Sequence, residues 1–131
     1  TNDEAKRWLK ESLANRKTAQ TLFDEKLYSQ CAFYCQQTAE MALKAMLYNA
    51  GMRPFGHSLT NLADDIDENG VAEVTTDVHE AAAELNQHYI EARYPDAVKS
   101  VAPSERYTKE MVEQTQEWAD EILLFAQNHL K

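Results

Sequence analysis

The sequence predicts an all-α fold, an up-and-down antiparallel bundle of about five helices. Three observations carry that prediction. Apolar residues recur near a period of about 3.6 along most of the 131 residues. Only three Gly and three Pro are present, too few for the turn every ~8–12 residues that a β-sandwich needs. The apolar fraction of 44% is enough to close a core and speaks against disorder.

The first helix is expected from near Asp3 to Phe23, with Ala5, Trp8, Leu9, Leu13, Ala19, Leu22 and Phe23 as its apolar stripe. Asp3 and Glu4 suit its positive N-terminal end. Asn15 and Arg16 interrupt the stripe and read as an exposed edge. A second helix spans Tyr28 to Ala50 and stops at Gly51, a natural residue for a helix end. It is apolar nearly all round, which places it in the middle of the bundle. Its polar residues Gln37, Glu40 and Lys44 share one face, with Gln36 beside them.

After the loop 52–57, Ser58 is an N-cap for a short helix ending near Gly70, with Leu59, Leu62, Ala63 and Ile66 on its buried edge. The acidic run 64–68 lacks the alternating ligands and central glycine of a calcium loop, so it reads as a solvated face. The fourth helix starts at Thr75 or Thr76 and runs to about Arg93, where Tyr94-Pro95 ends it. Val78, Ala82, Leu85, Tyr89 and Ala92 form its core stripe. A loop from Pro95 to Ser104 leads into the last helix, about Glu105 to Leu130, which buries Met111, Thr115, Trp118, Ile122, Phe125 and His129. No repeat or low-complexity linker divides the chain, so residues 1–131 are expected to form a single domain.

Thirteen basic residues against 22 acidic ones give a net charge of −9, with no basic stripe. Such a surface repels nucleic acid within a Debye length of about 8 Å, which excludes a general nucleic-acid binder. No apolar run is long enough to span a membrane, and no signal-peptide pattern is present, so the expected residence is the cytoplasm. Cys31 and Cys35 lie four apart on a helix, a poor geometry for a disulfide, and no second Cys or His couple accompanies them. They read as reduced core residues.

The residues offer no catalytic set and no metal set. There is no glycine-rich phosphate loop, no serine on a strand-to-helix elbow and no HExxH or ExxH pair. What remains is a group of polar residues where a bundle is normally apolar: Gln37, Glu40, Lys44, His57, Tyr89, Arg93, Tyr94 and Asp96. Glu40 can pair with Lys44, and Tyr89 with Arg93, each at i,i+4. Arg93 stands at a helix C-terminus, where its charge is favoured and its planar fork can grip a carboxylate or phosphate. On the residues alone, the group is either a set of clamps between helices or an anion-binding site.

Three segments resemble the HEPN domain family. They are Ala32 to Leu47, with its Gln37, Glu40 and Leu43-Lys44-Ala45-Met46; His57-Ser58-Leu59 followed by Leu62; and Tyr89 to Asp96, reading Tyr-Ile-Glu-Ala-Arg-Tyr-Pro-Asp. The resemblance implies a five-helix bundle that dimerises and works beside a minimal nucleotidyltransferase in a two-component, toxin–antitoxin-like system. It further implies nucleotide binding, with magnesium, at a shared polar site that would here be Gln37, Glu40, Lys44, His57, Tyr89, Arg93 and Asp96. Ribonuclease members of the family carry a histidine a few residues after the arginine. Here Arg93 is followed by Tyr94-Pro95-Asp96-Ala97-Val98-Lys99-Ser100, and His88 stands on the wrong side. The expectation is therefore a non-catalytic binding protein. The alternatives are a divergent ribonuclease toxin, which would need another acid–base group, and a purely structural dimerising scaffold.

Overall fold

Residues 1–130 are described by the computed structural model, and they fold into five helices and two single helical turns. In chain order these are α1 (Asp3–Asp24), α2 (Tyr28–Asn49), α3 (Leu59–Glu68), α4 (Thr76–Asn86), the turn α5 (His88–Glu91), the turn α6 (Pro103–Arg106) and α7 (Lys109–His129). The five longer helices match the expected bundle. No helix among the described residues is long and apolar enough to cross a membrane.

Short polar side chains start the helices. Asn2, Ser58, Thr75 and Thr108 each accept a hydrogen bond from the backbone N–H three residues on, satisfying one of the open donors of the first turn. Each such cap is worth about 1 kcal/mol. Three helices end in one way: Leu27 N–H bonds Leu22 C=O, Met52 bonds Leu47, and Val71 bonds Ile66. These closures need a left-handed residue in the middle, and Gly51 and Gly70 supply it at φ +79° and +66°. At the end of α1 the same position is Lys26, with φ 63°.

Helix α2 is the axis. It packs along α1 and α7 and touches α3, α4, α5 and α6, which is why Cys31, Cys35, Ala39, Leu43, Met46 and Leu47 are all buried. Both cysteines are unbonded thiols. The Cys35 thiol is held well above its usual range by its contact with Cys31 and by burial. Helix α1 runs antiparallel to α2, since Asn2 meets Tyr48 and Asn49 while the Ser12 hydroxyl donates to Thr38 C=O at 2.6 Å. Helices α3 and α4 form a second antiparallel pair, with Asn86 at the start of α3 and His79 beside Asp67.

The structure corrects several expectations. Ser12 is buried in place of Leu13, which is 43% exposed. Arg16 is no exposed edge: it forms a two-pronged ion pair with Asp120, at 2.5 and 3.1 Å, and reaches Gln116 at 3.1 Å, tying α1 to α7. The helix expected to run through to Arg93 breaks after Asn86. Asn86 turns its amide outward to accept from Leu59 N–H at 2.7 Å and donate to the Thr60 hydroxyl at 3.2 Å, and the chain resumes as α5. The last helix starts four residues later than expected, because extended Tyr107 separates α6 from the Thr108 cap of α7. His129 at its far end is exposed.

Candidate functional site

Glu40 organises the inner part of the polar group. It sits mid-α2 and is 2% exposed. Oε2 accepts from Lys44 Nζ at 3.1 Å. Oε1 accepts from Gln36 Nε2 at 3.2 Å, Gln37 Nε2 at 3.4 Å and His57 Nδ1 at 3.0 Å. A carboxylate buried this deeply requires such a complete set of donors. Because Glu40 can only accept when ionised, the His57 proton sits on Nδ1. Gln36 is fully buried, donates to the backbone carbonyl of His57 at 3.2 Å, and accepts from Gln37 Nε2 at 2.7 Å. Lys44, itself only 6% exposed, lies 5.6 Å from the centre of the Trp8 ring, which stacks on Tyr48.

The outer part is built on aromatic rings. His57 stacks on Tyr89 with centroids 4.1 Å apart and planes 16° off parallel. The Arg93 guanidinium carbon lies 4.4 Å from the Phe33 ring centre, 4.6 Å from Tyr89 and 4.9 Å from Tyr94. Its Nε donates to the backbone carbonyl of Tyr89 at 2.9 Å. Its two terminal nitrogens make no hydrogen bond or ion pair among the described residues. A cavity of about 470 Å³ opens beside it, walled by Phe33, Tyr34, Pro95 and Pro103.

Six of the seven expected site residues thus lie in one connected chain: Gln37 and Lys44 on Glu40, Glu40 on His57, His57 on Tyr89, Tyr89 on Arg93. Asp96 stands apart, exposed on the turn after Pro95 with no polar partner among the described residues. The anticipated Glu40–Lys44 pair is present. The Tyr89–Arg93 pair is made through the backbone carbonyl and the ring face, leaving the tyrosine hydroxyl out of it. Sequence reasoning underrated Gln36, whose signal was a glutamine on an otherwise apolar helix. It also missed Phe33 as a platform and His88 as a buried group. His88 continues the spacing of Ala81, Leu85 and Ala92, and all four are buried.

Comparison with known proteins agrees with this architecture. The model of the HEPN domain matches residues 5–129. The crystal structure of TT1696 from Thermus thermophilus superposes with a TM-score of 0.93 at 33% identity, covering 98% of this chain and 100% of that one. The archaeal HEPN homologue ST0689 gives 0.81 at 27% identity, covering 97% and 98%. A HEPN domain protein from Thermotoga maritima, at 22% identity and a TM-score of 0.75 over 93% and 95% of the two chains, shares the fold. A search of curated proteins returns no match. With a family match over nearly its whole length and a bundle of the same shape, the chain belongs to the HEPN domain family.

Proposed function

We propose that this HEPN protein is a non-catalytic binder that holds a nucleotide, a minimal nucleotidyltransferase partner, or both, against the surface around Arg93. The observation that carries this reading is the Arg93 guanidinium. It is stacked among three rings and held by one backbone bond, while both terminal nitrogens lack an acceptor among the described residues. A guanidinium fixed in this way has lost the entropy that usually opposes capture of a phosphate or carboxylate, and its fork matches either. The neighbouring rings and the cavity beside Pro95 offer stacking surface for a planar base. Magnesium would arrive with the nucleotide, since no described group of three His, Cys, Asp or Glu can hold a metal unaided. The partly exposed apolar residues nearby, Ile90 at 48% and Tyr94 at 47%, suit a second chain, and a homodimer within a two-component, toxin–antitoxin-like pair is the assembly we propose.

Calorimetric titration with ATP, GTP and their diphosphates, with and without magnesium, tests the reading. Binding by the wild type that vanishes in Arg93→Ala, with an unchanged melting curve, supports it. A flat trace from folded wild-type protein removes the nucleotide and leaves the partner-binding scaffold.

One observation favours a second reading, a divergent ribonuclease. His57 is oriented by the buried carboxylate of Glu40, as a general base is held in many hydrolases, and it shares the Tyr89 ring with Arg93. Incubation with labelled RNA decides: cleavage lost in His57→Ala establishes it, and intact RNA with the wild type ends it.

A further inference from the structure

Behind the Arg93 turn lies a second polar cluster that the proposed function leaves unused. His88 is 2% exposed, and its Nδ1 lies 2.6 Å from the Tyr107 hydroxyl. Arg106 Nη2 donates to that same hydroxyl at 3.1 Å and extends toward Glu91 at 3.9 Å. The direction of each bond follows from the chemistry. Arginine only donates, so the Tyr107 oxygen accepts from Arg106; the buried hydroxyl has no acceptor but His88 Nδ1 among the described residues, and its proton is assigned there. This order needs a neutral imidazole and an intact phenol. Burial, aided by the Arg106 charge, pushes His88 down to about 4. Burial also pushes Tyr107 up to about 12, with Glu91 adding to the rise and Arg106 partly opposing it.

The relay braces an element with little support of its own. The α5 turn holds four residues and has no side-chain cap. One flank of it, His88 and Glu91, faces Tyr107 and Arg106; the other, Tyr89 with the following Arg93, meets His57 and Phe33. The relay therefore joins the two ends of the segment 92–106, which carries Arg93 and one wall of the adjoining cavity. Arg106 Nε is already buried without a partner, so loss of the Tyr107 hydroxyl leaves the guanidinium only Glu91, at 3.9 Å, to turn to. We infer that Arg106, Tyr107 and His88 are positioning residues for the anion site, a latch that fixes α5 and so aims Tyr89 and Arg93. The inference rests on the Arg93 reading above for its purpose, and on the relay geometry for its mechanism.

Hydrogen–deuterium exchange on the full chain, paired with ATP titration, separates the two. Tyr107→Phe keeps the ring and removes the hydroxyl. Its amides from 88 to 102 should exchange about tenfold faster while α1 and α2 stay protected. ATP affinity should fall roughly fivefold with Arg93 untouched, because the binding-competent arrangement is less populated. His88→Asn keeps an acceptor near the place of Nδ1 and should stay close to wild type; His88→Leu should behave like Tyr107→Phe. Unchanged exchange from 88 to 102 in both Tyr107→Phe and His88→Leu overturns the latch, and so does a uniform rise over the whole chain, which marks a purely structural role. If wild-type protein binds no ATP, the nucleotide reading fails, and the exchange pattern still decides the latch.

Discussion

Glu40 and Arg93 are the two charges at the centre of the polar site, and the fold treats them in opposite ways. Glu40 is sealed on the central helix and surrounded by four donors, Lys44 among them. Arg93 stands at the edge on a segment between single helical turns, exposed, supported by rings, with its terminal nitrogens open. The contrast separates two jobs that a list of polar residues runs together. A buried charge with every partner supplied by its own chain is committed to the fold. An exposed charge held in a fixed orientation with no counter-charge is available to something else. His57 and Tyr89 join the two, so the orientation of the outer part is inherited from the inner one.

Substitutions can break or sharpen this contrast. The largest effect is expected from Glu40→Ala, which strands Lys44 as a buried uncompensated cation; about 3–5 kcal/mol of stability should be lost in urea unfolding. A loss below about 1 kcal/mol would show that water reaches the pair and would end the distinction.

Lowering the pH comes next. Burial holds His88 near 4 in the fold, below its ordinary value of 6.5, so the unfolded chain takes up the proton first. This group leaves stability flat above about pH 6.5 and costs up to about 3 kcal/mol as pH falls to about 4. His88→Asn should remove that slope in paired denaturation curves, although Tyr107, Arg106 and Glu91 still face the site.

Lys44→Met should cost less, about 1–2 kcal/mol, because Glu40 keeps Gln36, Gln37 and His57 while the new side chain packs on Trp8. Arg93→Ala should cost least, within about 1 kcal/mol by thermal melting, the range of exposed cation–ring contacts. It is nonetheless the substitution expected to abolish ligand binding. A large stability loss at Arg93 would make it a clamp of the same kind as Glu40.

The bundle was legible in the sequence because each of its signals is local. Four polar caps, two glycine-closed ends and the helical periodicity act within a few residues, and the helix starts at Ser58 and Thr75 follow directly from them. Two of the errors share one cause, a contact from a distant segment. Arg16 reads as a surface residue until Asp120 is brought to it across 104 positions of chain. Asn86 reads as mid-helix until the start of α3 claims its amide. In the site, the Glu40–Lys44 pair was readable from its i,i+4 spacing, as was the proximity of Tyr89 and Arg93. The ring platform was not, because Phe33 and Arg93 are 60 positions apart and no period relates them. Asp96, the seventh motif position, is exposed and makes no polar contact with the other six among the described residues.

The stack of Trp8 on Tyr48, with the Lys44 ammonium above the indole, has a practical side. The chain contains two tryptophans, and the other, Trp118, lies on α7 beside Asp77 and Glu80 of α4. Indole emission responds to a charge held close to the ring, so Trp8 is a built-in optical reporter of the Glu40–Lys44 pair. Events at Arg93 that stay in the outer part should leave the emission colour unchanged. Events transmitted through Tyr89 and His57 to Glu40 should shift it, and stopped-flow mixing can then time how long that signal takes to cross the protein.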